Sequence, residues 1–281
     1  MSEARTRQGL LKAVLFDLGG TLVSYGSGED VGRPVVSGVE PLIREGLEGA
    51  YRYLKEKMSP LPHFEKFSSR LTRRLKWGYF LSRLSSRELD ASNITMKCLE
   101  GWGISLSPEE FEGFVEAWYH PFSLRARLVD GAEEVVAALR GKGYRLGIVS
   151  NTLWPGKVLE RDLARLGLRS AFVEDPEPSR REVLVFSSDF GYRKPSPKIF
   201  RHALSQMRVE AHEAVFVGDS LKTDVLAAMA VGMKAVLIET CPRAQSLPPK
   251  APLPYVHIEH LRQLPRAIEA LASCAGGEGV C

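Results

Sequence analysis

The chain has 281 residues, of which 44% are hydrophobic and 26% are charged. Both values are close to the globular average, so the composition excludes a disordered tail, a collagen-like fibre and a coiled coil. The length corresponds to one large domain or two ordinary ones. The net charge of +4 comes from 38 basic and 34 acidic residues that are interspersed along most of the chain, which argues against nucleic acid as a partner.

Cysteine spacing and hydropathy predict a cytoplasmic protein that does not enter a membrane. The four cysteines stand far apart without a C-x-x-C pair, so we interpret them as reduced thiols; they are Cys98, Cys241, Cys274 and Cys281. The N-terminal segment holds only a short apolar run, less than a secretory signal peptide requires. No stretch approaches the roughly 18 apolar residues of a membrane-spanning helix.

Short, nearly continuous apolar runs recur along the chain and predict strands that are buried on both faces. These runs are Lys12–Phe16, Tyr144–Val149, Val183–Phe186, Ala214–Val217, Lys234–Ile238 and Tyr255–Ile258. Segments with helical periodicity lie between or after them: Ala132–Arg140, Lys157–Leu166, Pro197–Met207, Lys222–Val231 and Ile258–Leu271. The alternation predicts an α/β fold, with a parallel sheet that carries helices on both faces.

Residues 25–125 interrupt this alternation and predict an α-helical module inserted after the first strand, while residues 1–24 and 126–281 are predicted to form the α/β core. Four helices are predicted in this module: Val39–Met58, Pro62–Leu84, Ser86–Trp102 and Ser107–Trp118. The last has a clear start signal, because a serine N-cap is followed by proline and by a capping-box glutamate. Two polar segments, Glu174–Glu182 and Cys241–Pro254, are predicted surface loops.

Polar residues stand at the ends of several predicted strands. Asp17 follows the first strand, Ser150 ends another, and Asp219 follows a further one, with Asp224 five residues on. Because ligands bind at the carboxyl ends of the strands in open α/β sheets, we expect these side chains to share one crevice. Lys194 lies just before a predicted helix and is expected to join them.

The residue types of this crevice indicate phosphoryl transfer. Crowded carboxylates repel one another unless a cation neutralises them, and carboxylate oxygens suit Mg²⁺. A hydroxyl and a lysine opposite the metal would hold the oxygens of a phosphoryl group. An aspartate can also act as a covalent nucleophile on phosphorus. The prediction is a Mg²⁺-dependent reaction with an aspartate nucleophile.

Four segments in chain order, FDLGGTL, GIVSNT, YRKPSPKIF and FVGDSLKTD, resemble the motifs of the haloacid dehalogenase-like hydrolase superfamily. The resemblance spans about residues 12–238. It implies a Rossmann-like three-layer core with a helical cap inserted after the first motif, and a phosphatase that acts on a small phosphorylated metabolite. It also implies that Asp17 is the nucleophile and a Mg²⁺ ligand, and that Lys194 stabilises both the nucleophile and the transferring group.

The same resemblance implies roles for the other site residues. Thr21 would help to position the first loop, and Ser150 would bind phosphate together with the Asn151 backbone. Asp219 would hold Mg²⁺, with Asp224 as a second ligand or as a support for the lysine.

The chain departs from the family pattern at Gly19, where phosphatases of the family usually carry a second aspartate as general acid and base. The Gly19 carbonyl can still ligate Mg²⁺, but it cannot protonate a leaving group, a contribution of about 10²–10⁴-fold. We therefore expect slow turnover of alkyl phosphates and a preference for good leaving groups such as aryl and acyl phosphates. A cap residue or a water that fills the space beside Gly19 is the alternative.

Three other functions remain open from the sequence. A phosphonatase-type hydrolase would form a Schiff base on a cap lysine, and the candidates are Lys55, Lys57, Lys66 and Lys76. A dehalogenase would carry an aromatic residue in place of Gly19 and would need no metal. A non-catalytic phosphate-binding or regulatory protein would keep the same pocket.

Overall fold

A computed structural model of the protein describes residues 11–26, 40–58, 60–173, 183–239 and 255–273. Both predicted surface loops, at 174–182 and 241–254, lie outside these ranges, as do three of the four cysteines. The fourth, Cys98, is a buried free thiol. Within the described residues, every helix is too short or too polar to cross a membrane.

The strands run in chain order as β1 Ala13–Phe16, β2 Val23–Ser24, β3 Arg127–Leu128, β4 Arg145–Ser150, β5 Leu184–Phe186, β6 Ala214–Gly218, β7 Lys234–Ile238 and β8 Val256–Ile258. Six of them form one sheet in the order β5-β4-β1-β6-β7-β8, and all neighbours in it pair in parallel. These six are the predicted strands. The remaining pair, β2 and β3, is antiparallel and was not predicted from the sequence.

The helices are α1 Glu40–Lys57, α2 Phe64–Ser85, α3 Ala91–Glu100, α4 Pro108–Arg125, α5 Ala132–Gly141, α6 Gly156–Arg165, α7 Arg169–Val173, α8 Ser187–Phe190, α9 Pro197–Met207, α10 Leu226–Met229 and α11 Leu264–Ser273. Alternate residues of β1 enter two different apolar clusters. Val14 and Phe16 face one cluster, while Ala13 and Leu15 face the other. Since neighbouring side chains of a strand point to opposite faces, the sheet is covered on both sides, which confirms the predicted three-layer α/β core.

Helices α1 to α4 lie between β2 and β3 in the chain, where the cap was predicted, and α1 packs on α4. Two predicted cap helices have other bounds. The third was predicted to begin at Ser86 but begins at Ala91, because residues 86–90 contact the core instead. The fourth continues past Trp118 to Arg125, with Pro121 inside the helix. The cap boundaries at residues 25 and 125 stay a prediction.

Two core helices also differ from the sequence-based prediction. The segment predicted as one helix from Ile258 contains the end of β8, then a 3₁₀ turn at Leu261–Gln263, and only then α11. The segment predicted as a helix from Lys222 begins instead as a π-helical turn, Leu221–Val225, which continues into α10. That turn carries Asp224, so its geometry bears on the site.

Candidate active site

Three carboxylates meet at the carboxyl edge of the sheet. Asp17 follows β1, and its backbone N–H donates to the carbonyl of Val217 at 2.9 Å, which holds it beside β6. Asp219 follows β6 directly, and Asp224 comes from the π-helical turn. Carboxylate oxygens of Asp17, Asp219 and Asp224 all lie within 4.8 Å of one another. The structure thus brings Asp17 together with Asp219 and Asp224, which lie far from it in the sequence.

Lys194 lies between two of these carboxylates. Its Nζ is 2.7 Å from Oδ1 of Asp17 and 2.7 Å from Oδ1 of Asp224, and its side chain is 2% exposed. Burial works against the charge of Lys194, but the attraction of the Asp17 and Asp224 carboxylates prevails and raises its pKa. The ammonium therefore stays charged across the physiological range.

The carboxyl groups of Asp219 and Asp224 hold protons more strongly than free aspartate does. Burial raises the pKa of Asp219 well above its ordinary value, and the charges of Asp17 and Asp224 act in the same direction. Burial likewise raises the pKa of Asp224 to about 6 in spite of Lys194. When ionised, three carboxylates and one ammonium leave two negative charges. A hard divalent cation with oxygen ligands fits this donor set.

The position of Asp224 depends on a close approach to β6. Its Oδ2 accepts a hydrogen bond from the Ser220 backbone N–H at 3.0 Å, and the Ser220 hydroxyl accepts from Thr223 N–H at 3.3 Å. A Cβ on Gly218 would lie 2.5 Å from Cβ of Asp224. Only glycine at the end of β6 therefore leaves room for this carboxylate. Sequence reasoning missed Gly218, although it stands immediately before Asp219 in the fourth motif.

The phosphate-binding loop predicted after β4 is hydrogen-bonded to the loop that carries Lys194, called the lysine loop below. Ser150, the last residue of β4, is buried. The Asn151 side chain donates through Nδ2 to the Lys194 carbonyl at 2.9 Å and accepts the Lys194 N–H at 2.7 Å. This paired contact, which the sequence did not reveal, fixes the backbone at Lys194. The proposed contacts of Ser150 and of the Asn151 backbone with phosphate stay predictions.

The loop after Asp17 turns tightly and places Gly19 in solvent. Gly20 has φ +86° and donates its N–H to the Val23 carbonyl at 2.8 Å. Thr21, in the same turn, is fully buried, and its hydroxyl has no hydrogen-bond partner among the described residues. The predicted role of Thr21 in positioning this loop stays a prediction.

Tyr25 lies beside the position that a side chain on residue 19 would occupy. A Cβ built on Gly19 would lie 3.9 Å from Cε2 of Tyr25, an ordinary contact distance. Burial raises the pKa of the Tyr25 phenol, so its hydroxyl stays protonated. Sequence reasoning did not single out Tyr25; its signal is its position just after β2, where the chain leaves the core for the cap.

Comparison with known proteins extends this picture. A family model described as haloacid dehalogenase-like hydrolase matches residues 11–232. A glyceraldehyde 3-phosphate phosphatase of Pyrococcus abyssi (strain GE5 / Orsay) is 32% identical over 235 residues, which cover 81% of this chain and 81% of the relative.

Solved structures share the fold over nearly the whole chain. A HAD phosphatase from Thermococcus onnurineus superposes with a TM-score of 0.54 at 25% identity, over 92% of this chain and 98% of its own. A 2-haloacid dehalogenase from Pseudomonas syringae pv. Tomato DC3000 has a TM-score of 0.60 at 22% identity, over 93% of this chain and 99% of its own. At that identity, the second likeness concerns the fold alone.

Proposed function

This chain belongs to the haloacid dehalogenase-like hydrolase family, and on that basis we propose that it is a Mg²⁺-dependent phosphatase of a small phosphorylated metabolite. The observation that carries the proposal is the buried contact of Lys194 with both Asp17 and Asp224. Two similar proteins, from Pyrococcus abyssi and Thermococcus onnurineus, are phosphatases by name, which supports the substrate class.

In the proposed reaction, a carboxylate oxygen of Asp17 attacks phosphorus in line and the bond from phosphorus to the leaving-group oxygen breaks. Water then hydrolyses the resulting phosphoaspartate, which regenerates Asp17 and releases inorganic phosphate. Lys194, whose Nζ contacts Asp17, opposes the negative charge of the transferring phosphoryl oxygens. Asp17, Asp219, Asp224 and the Gly19 carbonyl would hold Mg²⁺, which would supply further positive charge to those oxygens.

The leaving group sets the rate of the first step in this proposal. A departing alkoxide needs a proton, whereas a departing p-nitrophenolate or carboxylate needs little assistance. Gly19 offers no side chain for that proton transfer. We therefore propose that the enzyme favours phosphate compounds with good leaving groups.

The alternative chemistries have less support. The cap lysines that a phosphonatase would need, Lys55, Lys57, Lys66 and Lys76, are all exposed. A Schiff-base lysine usually needs desolvation or a neighbouring cation to become a neutral amine. A dehalogenase would place an aromatic side chain at the position of Gly19, which has none. A non-catalytic protein would have no need of a lysine against the nucleophile.

The experiment is hydrolysis of p-nitrophenyl phosphate and acetyl phosphate in Mg²⁺ or in EDTA. We expect turnover by the wild-type chain in Mg²⁺ only, and a fall of more than about 10³-fold in Asp17→Asn. Asp130→Asn is the matched control, because Asp130 is an exposed aspartate that pairs with Arg262. Equal background rates in wild type and Asp17→Asn would contradict the proposal and favour a phosphate-binding protein.

We also propose that the enzyme works in the cytoplasm with a small phosphorylated molecule as its partner. The wide spacing of the cysteines supports this location, since a disulfide framework would be expected in an oxidising compartment. The described thiol, Cys98, is buried in the apolar core of the cap and core helices, where it acts as a small apolar side chain.

A further inference from the structure

The segment between α2 and α3 pairs with the core next to Lys194. Glu88 donates its backbone N–H to the Gly191 carbonyl at 3.0 Å, and the Arg193 N–H donates to the Ser86 carbonyl at 3.2 Å. The two segments form an isolated antiparallel β-bridge between Arg87 and Tyr192. The cap is thereby attached to the core just before the catalytic lysine, in addition to its covalent connections through β2 and β3.

Arg193 strengthens this attachment with its side chain. Its Nη1 donates to the Ser82 hydroxyl at 3.2 Å, its Nη2 donates to the Tyr79 hydroxyl at 3.4 Å, and its Cζ lies 4.8 Å from the centre of the Tyr79 ring. The Arg193 side chain is 13% exposed. Since Arg193 directly precedes Lys194, contacts that fix one residue restrict the backbone of the next.

Glu88 is also connected, through a buried serine, to the predicted phosphate-binding loop after β4. Its side chain is 2% exposed and lies 3.8 Å from Nη1 of Arg193. Its Oε2 accepts the Ser187 hydroxyl at 2.6 Å, and the Ser187 oxygen in turn accepts the Thr152 backbone N–H at 2.8 Å. Thr152 follows Asn151, so one cap carboxylate is connected through Ser187 to the loop after β4 and lies beside Arg193 of the lysine loop.

We infer that Glu88 is a positioning residue of the phosphate site: from the cap, through Ser187 and Arg193, it holds the loops of Asn151 and Lys194 in place. This role rests on the function proposed above. The side chain of Asn151 already joins the two loops, so Glu88 attaches them to the cap as one unit. A buried carboxylate is unfavourable without partners. That of Glu88 accepts the Ser187 hydroxyl and the Leu89 backbone N–H and lies 3.8 Å from Arg193, so two of its three partners connect it to the core segments beside the site.

The test compares three single variants and one double variant in p-nitrophenyl phosphate hydrolysis, at a temperature where circular dichroism shows each to be folded. Glu88→Ala should lower kcat about tenfold to a hundredfold, with a smaller rise in KM, because a misplaced Lys194 loses contacts made in the transition state. Glu88→Gln should recover most of the loss, since its amide oxygen can accept the Ser187 hydroxyl. Ser187→Ala should lower kcat as Glu88→Ala does, and the double variant should lower it little further.

Glu112→Ala is the control for loss of a cap–core contact as such. Glu112 lies on α4 and pairs with Arg161 at 2.8 Å and with Lys157, both on α6. These partners lie outside the loop after β4 and outside the lysine loop. We expect its kcat and KM to stay within about twofold of wild type, as for a partly exposed ion pair.

Amide hydrogen exchange gives a readout that does not need activity. Peptides covering residues 150–154 and 191–196 should exchange faster in Glu88→Ala and Ser187→Ala, but not in Glu112→Ala. Unchanged exchange in both loops overturns the inference, and so does faster exchange with unchanged kcat. If the wild-type chain hydrolyses no phosphate compound, the proposed function fails, and exchange alone decides whether Glu88 orders the two loops.

Discussion

Lys194 donates a hydrogen bond from Nζ to Oδ1 of Asp17 at 2.7 Å, although 177 positions separate the two residues in the chain. The same ammonium lies 2.7 Å from Asp224. Both ends of this bond are buried, so the fold has desolvated a cation and two anions that now depend on one another.

Replacing Lys194 should destabilise the metal-free protein strongly. In Lys194→Met, the carboxylates of Asp17 and Asp224 lose their cation, and the free energy of unfolding should fall by about 3–5 kcal/mol in EDTA. Mg²⁺ should restore part of that loss, because it neutralises the same carboxylates. Urea denaturation with and without Mg²⁺ measures both effects. Lys198→Met, at an exposed lysine of α9, is the control, and an equal loss in the two variants would contradict the prediction.

The free energy of unfolding of the metal-free protein should decrease as the pH rises from about 4 to about 6. Burial raises the pKa of Asp224 from 3.8 to about 6, so the folded state binds this proton more strongly than the unfolded chain does. Stability therefore decreases as pH rises through this interval, by roughly 3 kcal/mol for a shift of about two units. Asp219, whose pKa burial also raises, adds to the decrease. Urea denaturation at several pH values in EDTA measures it.

Mg²⁺ should reverse this pH dependence. The ion binds ionised carboxylates, so its stabilising effect should be small near pH 4 and should grow as pH rises. Asp224→Asn should make the decrease in EDTA smaller, because only Asp219 then contributes to it. Equal stabilisation by Mg²⁺ at both ends of the interval would show that these carboxylates do not hold the ion.

Introducing a carboxyl at Gly19 should speed the hydrolysis of alkyl phosphates. The backbone of Gly19 is outside the left-handed region, and a Cβ there would meet Tyr25 only at 3.9 Å, so Gly19→Asp fits without strain. We expect kcat on an alkyl phosphate to rise at least tenfold, because general acid catalysis can supply about 10²–10⁴-fold. Turnover of p-nitrophenyl phosphate should change little.

Gly19→Asn is the control that distinguishes proton transfer by the new side chain from an effect of its size. It has the size of the aspartate variant but no titratable proton, so its rate on the same alkyl phosphate should stay near that of the wild-type chain. A similar gain in both variants would mean that the new side chain acts by contact with substrate.

Adding a methyl group to Gly218 should displace Asp224. The new Cβ would lie 2.5 Å from the Asp224 Cβ, so either the strand end or the π-helical turn must move. We expect Gly218→Ala to lose about 1–3 kcal/mol of stability and to bind Mg²⁺ more weakly. Gly141→Ala, at a helical glycine whose Cβ would meet nothing within 4 Å, should be neutral or stabilising. Thermal denaturation and Mg²⁺ titration compare the two variants.

The sequence predicts the core well because its signals are local. Each strand of the large sheet is a short apolar run, and burial on both faces requires such a run whatever the neighbouring strands are. The placement of Asp17 and Asp219 follows in the same way, since residues after parallel strands share one edge. The comparisons confirm the family that the four motifs indicated.

The features that sequence reasoning missed arise from contacts between distant segments. Ser86 and Glu88 continue a helical pattern, but their backbone groups bond to residues 191–193 of the core instead of to the next helical turn. Asn151 contacts a backbone 43 positions away, and Gly218 is required only because Asp224 folds back against it. No periodicity within a short window records such partners.

The Asn151 side chain satisfies both backbone polar groups of Lys194 from within the protein. The lysine loop therefore needs no bound molecule to acquire its shape, and its ordering is completed during folding. Association with a phosphate compound should accordingly involve little loss of main-chain entropy at this loop.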